Sequence, residues 1–120
     1  QLRREDGSPD PLSDGVLISP EGLRVPLEWG RGVLVEPTQT WFSPVDDAEY
    51  PSGWRIRAPE QELDLTVTPA LQDQELRVAF RYWEGSVRVS GKGPGGNEVS
   101  GRGYVELTGY AGPSLQEGEK

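Results

Sequence analysis

Apolar and polar residues alternate along Glu75–Glu84. Leu76, Val78, Phe80, Tyr82 and Glu84 fall on one side, and Arg77, Ala79, Arg81 and Trp83 on the other. Successive side chains of a strand point to opposite faces, whereas a helix repeats every three or four residues, so this rhythm predicts one long strand. Gly93-Pro94-Gly95-Gly96-Asn97 follows, with the positive-φ and fixed-φ residues that a reversal needs. A return strand ending Gly103-Tyr104-Val105-Glu106-Leu107-Thr108-Gly109-Tyr110 completes a hairpin within Leu71–Tyr110, the frame of the chain.

The earlier sequence reads as shorter pieces of the same kind. Gly15–Ser19, Leu23–Glu28 and Gly32–Glu36 are predicted strands, the second at an edge because Pro26 cannot donate to a ladder. Trp54–Ala58 and Glu62–Thr68 predict a hairpin about Pro59-Glu60-Gln61. Trp54, Ile56, Leu63, Leu65 and Val67 share one face; Arg55 and Arg57 oppose Glu62 and Asp64 on the other. Between these lies Thr38–Trp54, a long connection carrying Trp41, Phe42, Tyr50 and Trp54. Loops of that length are more often lids or binding loops than filler. Its aromatics either cover one end of a barrel or line a mouth. Ala70–Arg77 is the best helical candidate, and it is short. The pattern predicts an all-β, antiparallel domain over residues 14–112, after a polar segment at 1–13 expected to continue from a missing strand and before a disordered tail at 113–120.

Composition narrows the function. The chain has 120 residues, enough for one core. Gly (16) and Pro (11) are abundant beside 4 Trp and 4 Tyr, a mixture that suits short strands and frequent turns. The net charge of −8 and the absence of a basic stripe argue against nucleic acid and against binding to an anionic membrane surface. Cys and His are both absent, which removes thiol nucleophiles, thiolate or HExxH metal sites and Ser-His-Asp chemistry. No cofactor is called for. The chain has no Met and opens in polar sequence, so it is expected to be a piece of something longer, with compartment not readable from it.

Two motifs dissolve on inspection. Gly91-Lys92-Gly93-Pro94-Gly95-Gly96 spells GxGxxG, but a strand follows where a dinucleotide site needs a helix N-terminus. Asp46-Asp47 with Glu49 lacks the alternating oxygen ligands and central Gly of a calcium loop. Glu84 and Glu106 are the sharper pair. With the turn centred near Gly95 they lie almost opposite one another, and a slip of one residue would put them on opposite faces. On a shared buried face, repulsion and desolvation would raise a pKa and leave a neutral acid that can donate a proton. Alternatively each accepts hydrogen bonds and serves structure alone. Asp73, Gln74 and Glu75 form a weaker polar cluster.

Gln74-Glu75, Tyr82-Trp83-Glu84-Gly85 and the run Gly101-x-Gly103-Tyr104-Val105-Glu106-Leu107-Thr108-Gly109-Tyr110 resemble the carboxy-terminal signature of a bacterial lipocalin-like family. That family includes carotenoid hydratases (hydroxyneurosporene synthases), predicted secreted hydrolases and lipoproteins that accompany ABC exporters. Trp41-x-Ser43-Pro44 and Tyr50-Pro51-x-x-Trp54 resemble its upstream elements, in order. The resemblance implies a lipocalin-like antiparallel β-barrel, incomplete here, as the C-terminal barrel of a two-barrel protein whose N-terminal lipocalin-like domain is absent from this chain. It also implies a bacterial cell-envelope, periplasmic or secreted location, with membrane association only through missing parts.

Three functions compete. A hydratase would use Glu84 or Glu106 as proton donor, with Tyr82, Tyr104 and Trp54 stabilising a cation and Trp41 and Tyr50 completing a ligand site. A non-catalytic carrier or exporter accessory would hold an apolar small molecule or lipid in the barrel. A structural half-domain would use the same aromatics only to fill its core.

Overall fold

A computed structural model describes residues 1, 3–45 and 47–111. The 113–120 tail and Asp46 lie outside the described residues. Ten strands and two one-turn 3₁₀ segments make up the described fold. Strands β1 (Asp14–Ile18) and β2 (Arg24–Glu28) pair as a separate antiparallel hairpin. Then come β3 (Leu34–Pro37), β4 (Thr40–Phe42), β5 (Glu49–Pro51), β6 (Trp54–Ala58) and β7 (Leu63–Pro69). Strands β8 (Glu75–Arg77), β9 (Arg81–Lys92) and β10 (Glu98–Leu107) complete the series.

The principal sheet runs in the order β10-β9-β7-β6-β3, every pair antiparallel, with β8 beside the start of β9. It curls but does not close. Among the described strands β10 and β3 each have one partner, so both are open edges, and the sheet is an incomplete antiparallel barrel. The inner face holds the core: Tyr50, Trp54, Val67, Trp83, Val87 and Leu107 are buried together. Burial of these side chains is the main force for curling, since a sheet with one apolar face must cover it.

The frame hairpin forms as its rhythm predicts, with Pro94–Gly96 making the turn and Glu84 in register with Glu106. The Glu75–Glu84 run does not form one strand. It folds back on itself, with Glu75 opposite Trp83, Leu76 opposite Tyr82 and Arg77 opposite Arg81. Alternation survives such a reversal, because partners across a ladder share a face. The turn residues Val78-Ala79-Phe80 contain neither Gly nor Pro to announce it, and Val78 and Phe80 are exposed there. The helical alternative for Ala70–Arg77 is likewise replaced by a bend entering β8.

The long aromatic connection is also structured. It carries the small hairpin β4–β5, in which Trp41 opposes Tyr50 with ring centroids 5.9 Å apart. The charge ladder on the outer face of β6 and β7 keeps Arg55 and Asp64, joined through 2.9 and 2.6 Å hydrogen bonds, but Arg57 pairs with Glu36 on β3. Glu62 is not in the ladder, because it takes a left-handed conformation that ends the Pro59–Gln61 turn. The hydrogen bond from Arg55 holds the Asp64 carboxyl below its ordinary 3.8, ahead of the opposing effect of desolvation. A folded pKa below the unfolded one stabilises the fold above the unfolded value, and that contribution disappears as pH falls through the folded one. NMR titration of the Asp64 carboxyl should give a midpoint under 3.8, returning toward it in Arg55→Gln.

The Gln74-Glu75 and Gly85 elements of the signature have a structural reason. Where β7 ends and β8 begins, the Gln74 side chain fills the gap in the ladder along β9. Its Nε2 donates to the carbonyls of Leu71 (3.0 Å) and Ser86 (3.1 Å), and its Oε1 accepts from the Ser86 N–H (3.0 Å). A Cβ at position 85 would collide with that amide, so the residue is glycine. Gly85→Ala should therefore cost about 1–3 kcal/mol in urea denaturation, by overpacking and by breaking the patch. An unchanged midpoint would mean that Gln74 moves aside freely.

Candidate functional site

The curl of the sheet leaves a cleft of about 790 Å³ between its open edges. Strands β3 and β10 supply its two sides through Val35 and Pro37, and through Val105 and Leu107; Trp54, Ile56 and Val67 form the floor. These are the inward positions of period-two strands, which is why they are apolar. The mouth is polar. Arg3, Arg4 and Glu5 border it, together with Glu106 and the Thr108–Tyr110 segment.

Residues 3–9 form a turn beside this mouth. Arg3 bridges to Pro9 around a turn closed by Arg4 and Gly7, and Asp6 accepts from the Ser8 N–H (2.9 Å) and hydroxyl (2.6 Å). Those bonds from Ser8 lower the Asp6 pKa. The Arg3 guanidinium lies 3.6 Å from the centre of the Tyr110 ring and donates to the Gly109 carbonyl at 3.2 Å.

The residues singled out from the sequence are divided among three places. Trp54 lines the cleft. Trp41 and Tyr50 belong to the core, where Tyr50 also lies 5.9 Å from the Tyr110 ring. Tyr82, Glu84, Tyr104 and Glu106 share the outer face of the β9–β10 ribbon, opposite inward Trp83, Val105 and Leu107. Tyr104 is 66% exposed and Glu106 is exposed, so the buried face that acid chemistry by the two glutamates would require is not formed. The Tyr82 hydroxyl donates to Glu84 at 3.3 Å and its ring stacks on Phe80 at 5.1 Å. Partial desolvation, then the Glu84 charge, raise the Tyr82 phenol above its usual 10.

The weaker polar cluster turns out to be the hub. The Glu75 side chain is wholly buried and accepts from the Ser43 hydroxyl (2.6 Å), the Tyr50 hydroxyl (2.7 Å) and Arg77 Nε (2.9 Å). Arg77 reaches on to Asp73, and the Trp83 indole N–H donates to the Gln72 carbonyl at 2.8 Å. A carboxylate with three donors is satisfied in place, so this cluster fixes the β4–β5 hairpin against β8. Among the described residues no group of three or more acids is placed to hold a metal ion.

Comparison with known proteins agrees with this architecture. The chain is similar to a protein of known structure from Nitrosomonas europaea that carries the AttH designation, at 30% identity and a TM-score of 0.74. The likeness covers 92% of this chain and 33% of that one, so the chain spans a third of the length of the protein it matches. No curated protein matches it. The AttH-like family model matches residues 1–110, and the chain belongs to the AttH-like family.

Proposed function

We propose that this domain is a binding module for an elongated apolar ligand, which lies in the cleft between β3 and β10. The observation that carries the reading is the apolar floor and sides of the cleft, Val35, Trp54, Ile56, Val67, Val105 and Leu107, beneath its polar mouth. At about 790 Å³ it falls within the range of small-molecule sites, and its partly buried Val35, Ile56 and Val105 offer hydrocarbon surface to a guest. Operation in the bacterial cell envelope, beside a further lipocalin-like domain, belongs to the same proposal and rests on the family resemblance. The neutral dye N-phenyl-1-naphthylamine tests the site. Its fluorescence should rise on binding, and Ile56→Glu should weaken binding by roughly tenfold or more, since a charge on the floor must be desolvated. Circular dichroism would confirm that the variant stays folded. No fluorescence rise, or an undiminished one in Ile56→Glu, would overturn the reading.

Acid-catalysed hydration is the second reading, in which the exposed Glu106, at the rim of the cleft and opposite Glu84 in the ladder, would donate the proton from the rim rather than from a buried face. It predicts that Glu106→Gln abolishes hydration of an acyclic polyene while the polyene still binds. Turnover that survives both Glu84→Gln and Glu106→Gln would end it.

A further inference from the structure

We infer that the cleft selects a long-chain carboxylate, with its hydrocarbon along the trough and its acid group at Arg3. The inference rests on the binding reading above and adds the head group to it. Four charged residues border the cleft, and they are not equivalent. Arg4 is committed to Asp10 at 3.6 Å. Glu106 lies, by the alternation of β10, on the outer face between inward Val105 and Leu107. Glu5 is exposed at the rim. Arg3 is the remaining cationic side chain, and among the described residues it has no carboxylate partner.

Its position is defined without one. The Tyr110 ring supports the guanidinium face at 3.6 Å, and the Gly109 carbonyl takes one N–H at 3.2 Å. A guanidinium has five N–H donors in a planar fork suited to bidentate contact with a carboxylate. Here that fork is held by an aromatic face at the mouth of an apolar trough, and Tyr110 itself packs against the core. A neutral chain would gain only the trough, whereas a fatty carboxylate gains the trough and the cation together. The preorganisation matters because an arginine already oriented loses less freedom on binding.

The test compares dodecanoate with dodecanol, each displacing N-phenyl-1-naphthylamine from the native chain and from Arg3→Gln, Arg3→Lys and Glu5→Gln. The acid should bind roughly tenfold tighter than the alcohol, corresponding to one charge-assisted contact. Arg3→Gln should erase that preference, so that acid and alcohol bind with equal affinity. Arg3→Lys should keep part of it, and Glu5→Gln should enlarge it by removing the opposing charge. Equal binding of acid and alcohol by the native chain would overturn the inference and leave the apolar cleft standing. Failure of both to bind would overturn the cleft reading and this inference with it. An Arg3→Gln protein that is less stable yet keeps the acid preference would show that Arg3 is a structural clasp, which also overturns it.

Discussion

Replacing Glu75 with alanine is expected to lower stability by about 3–5 kcal/mol. Its side chain is wholly buried, and its oxygens satisfy Ser43, Tyr50 and Arg77 at once. Removing the carboxylate leaves two hydroxyls without their acceptor and opens a void beside Trp83, its register partner. Arg77 softens the loss because its side chain is 34% exposed and keeps Asp73. Glu75→Gln should cost less, since an amide still accepts one hydroxyl. Urea denaturation followed by far-UV circular dichroism measures both. A loss below about 1 kcal/mol in Glu75→Ala would mean that the β4–β5 hairpin is not anchored through this carboxylate.

Trp83→Ala should cost a similar amount, about 3–5 kcal/mol, for a different reason. The indole is 2% exposed at the centre of the inner face, between Glu75 on β8 and Leu107 on β10 in the register. Its truncation removes the largest fully buried side chain among the described residues and one of the two hydrogen bonds to the Gln72 carbonyl, which keeps only the Gln74 N–H at 3.2 Å. Trp83→Phe should recover much of the packing but not the hydrogen bond, and should fall between. Equal stability of the alanine variant and the native chain would contradict the assignment of this face as the core.

What the sequence disclosed followed from how local each signal was. The Gly93–Asn97 turn fixes its own geometry, so the β9–β10 register and the Glu84–Glu106 pairing were legible from residue counting. The Arg55–Asp64 contact was legible because a short hairpin leaves few registers. The fold-back at Val78-Ala79-Phe80 was hidden: alternation is the same for one straight strand as for two strands joined by a reversal, and no turn residue marks it. The face of the glutamate pair was hidden for a related reason. Period two assigns residues to two sides, but Trp83 and Tyr82 are both aromatic, and only the curl of the sheet decides which is inside. Glu75 was underrated because its donors, Ser43 and Tyr50, come from a distant hairpin that local pattern does not link to it. The cleft assembles Val35 from one end of the sheet and Val105 from the other, a juxtaposition visible only once the strand order is known.

Methyl NMR during titration with dodecanol reports where a neutral chain sits. The methyl signals of Val35, Ile56 and Val105 should shift together and saturate with one affinity, while those of exposed Val78 at the tip of the β8–β9 turn stay still. Shifts confined to Val78 and its neighbour Leu76, with the cleft methyls unmoved, would place the guest on the outer face and rule out the cleft as its site.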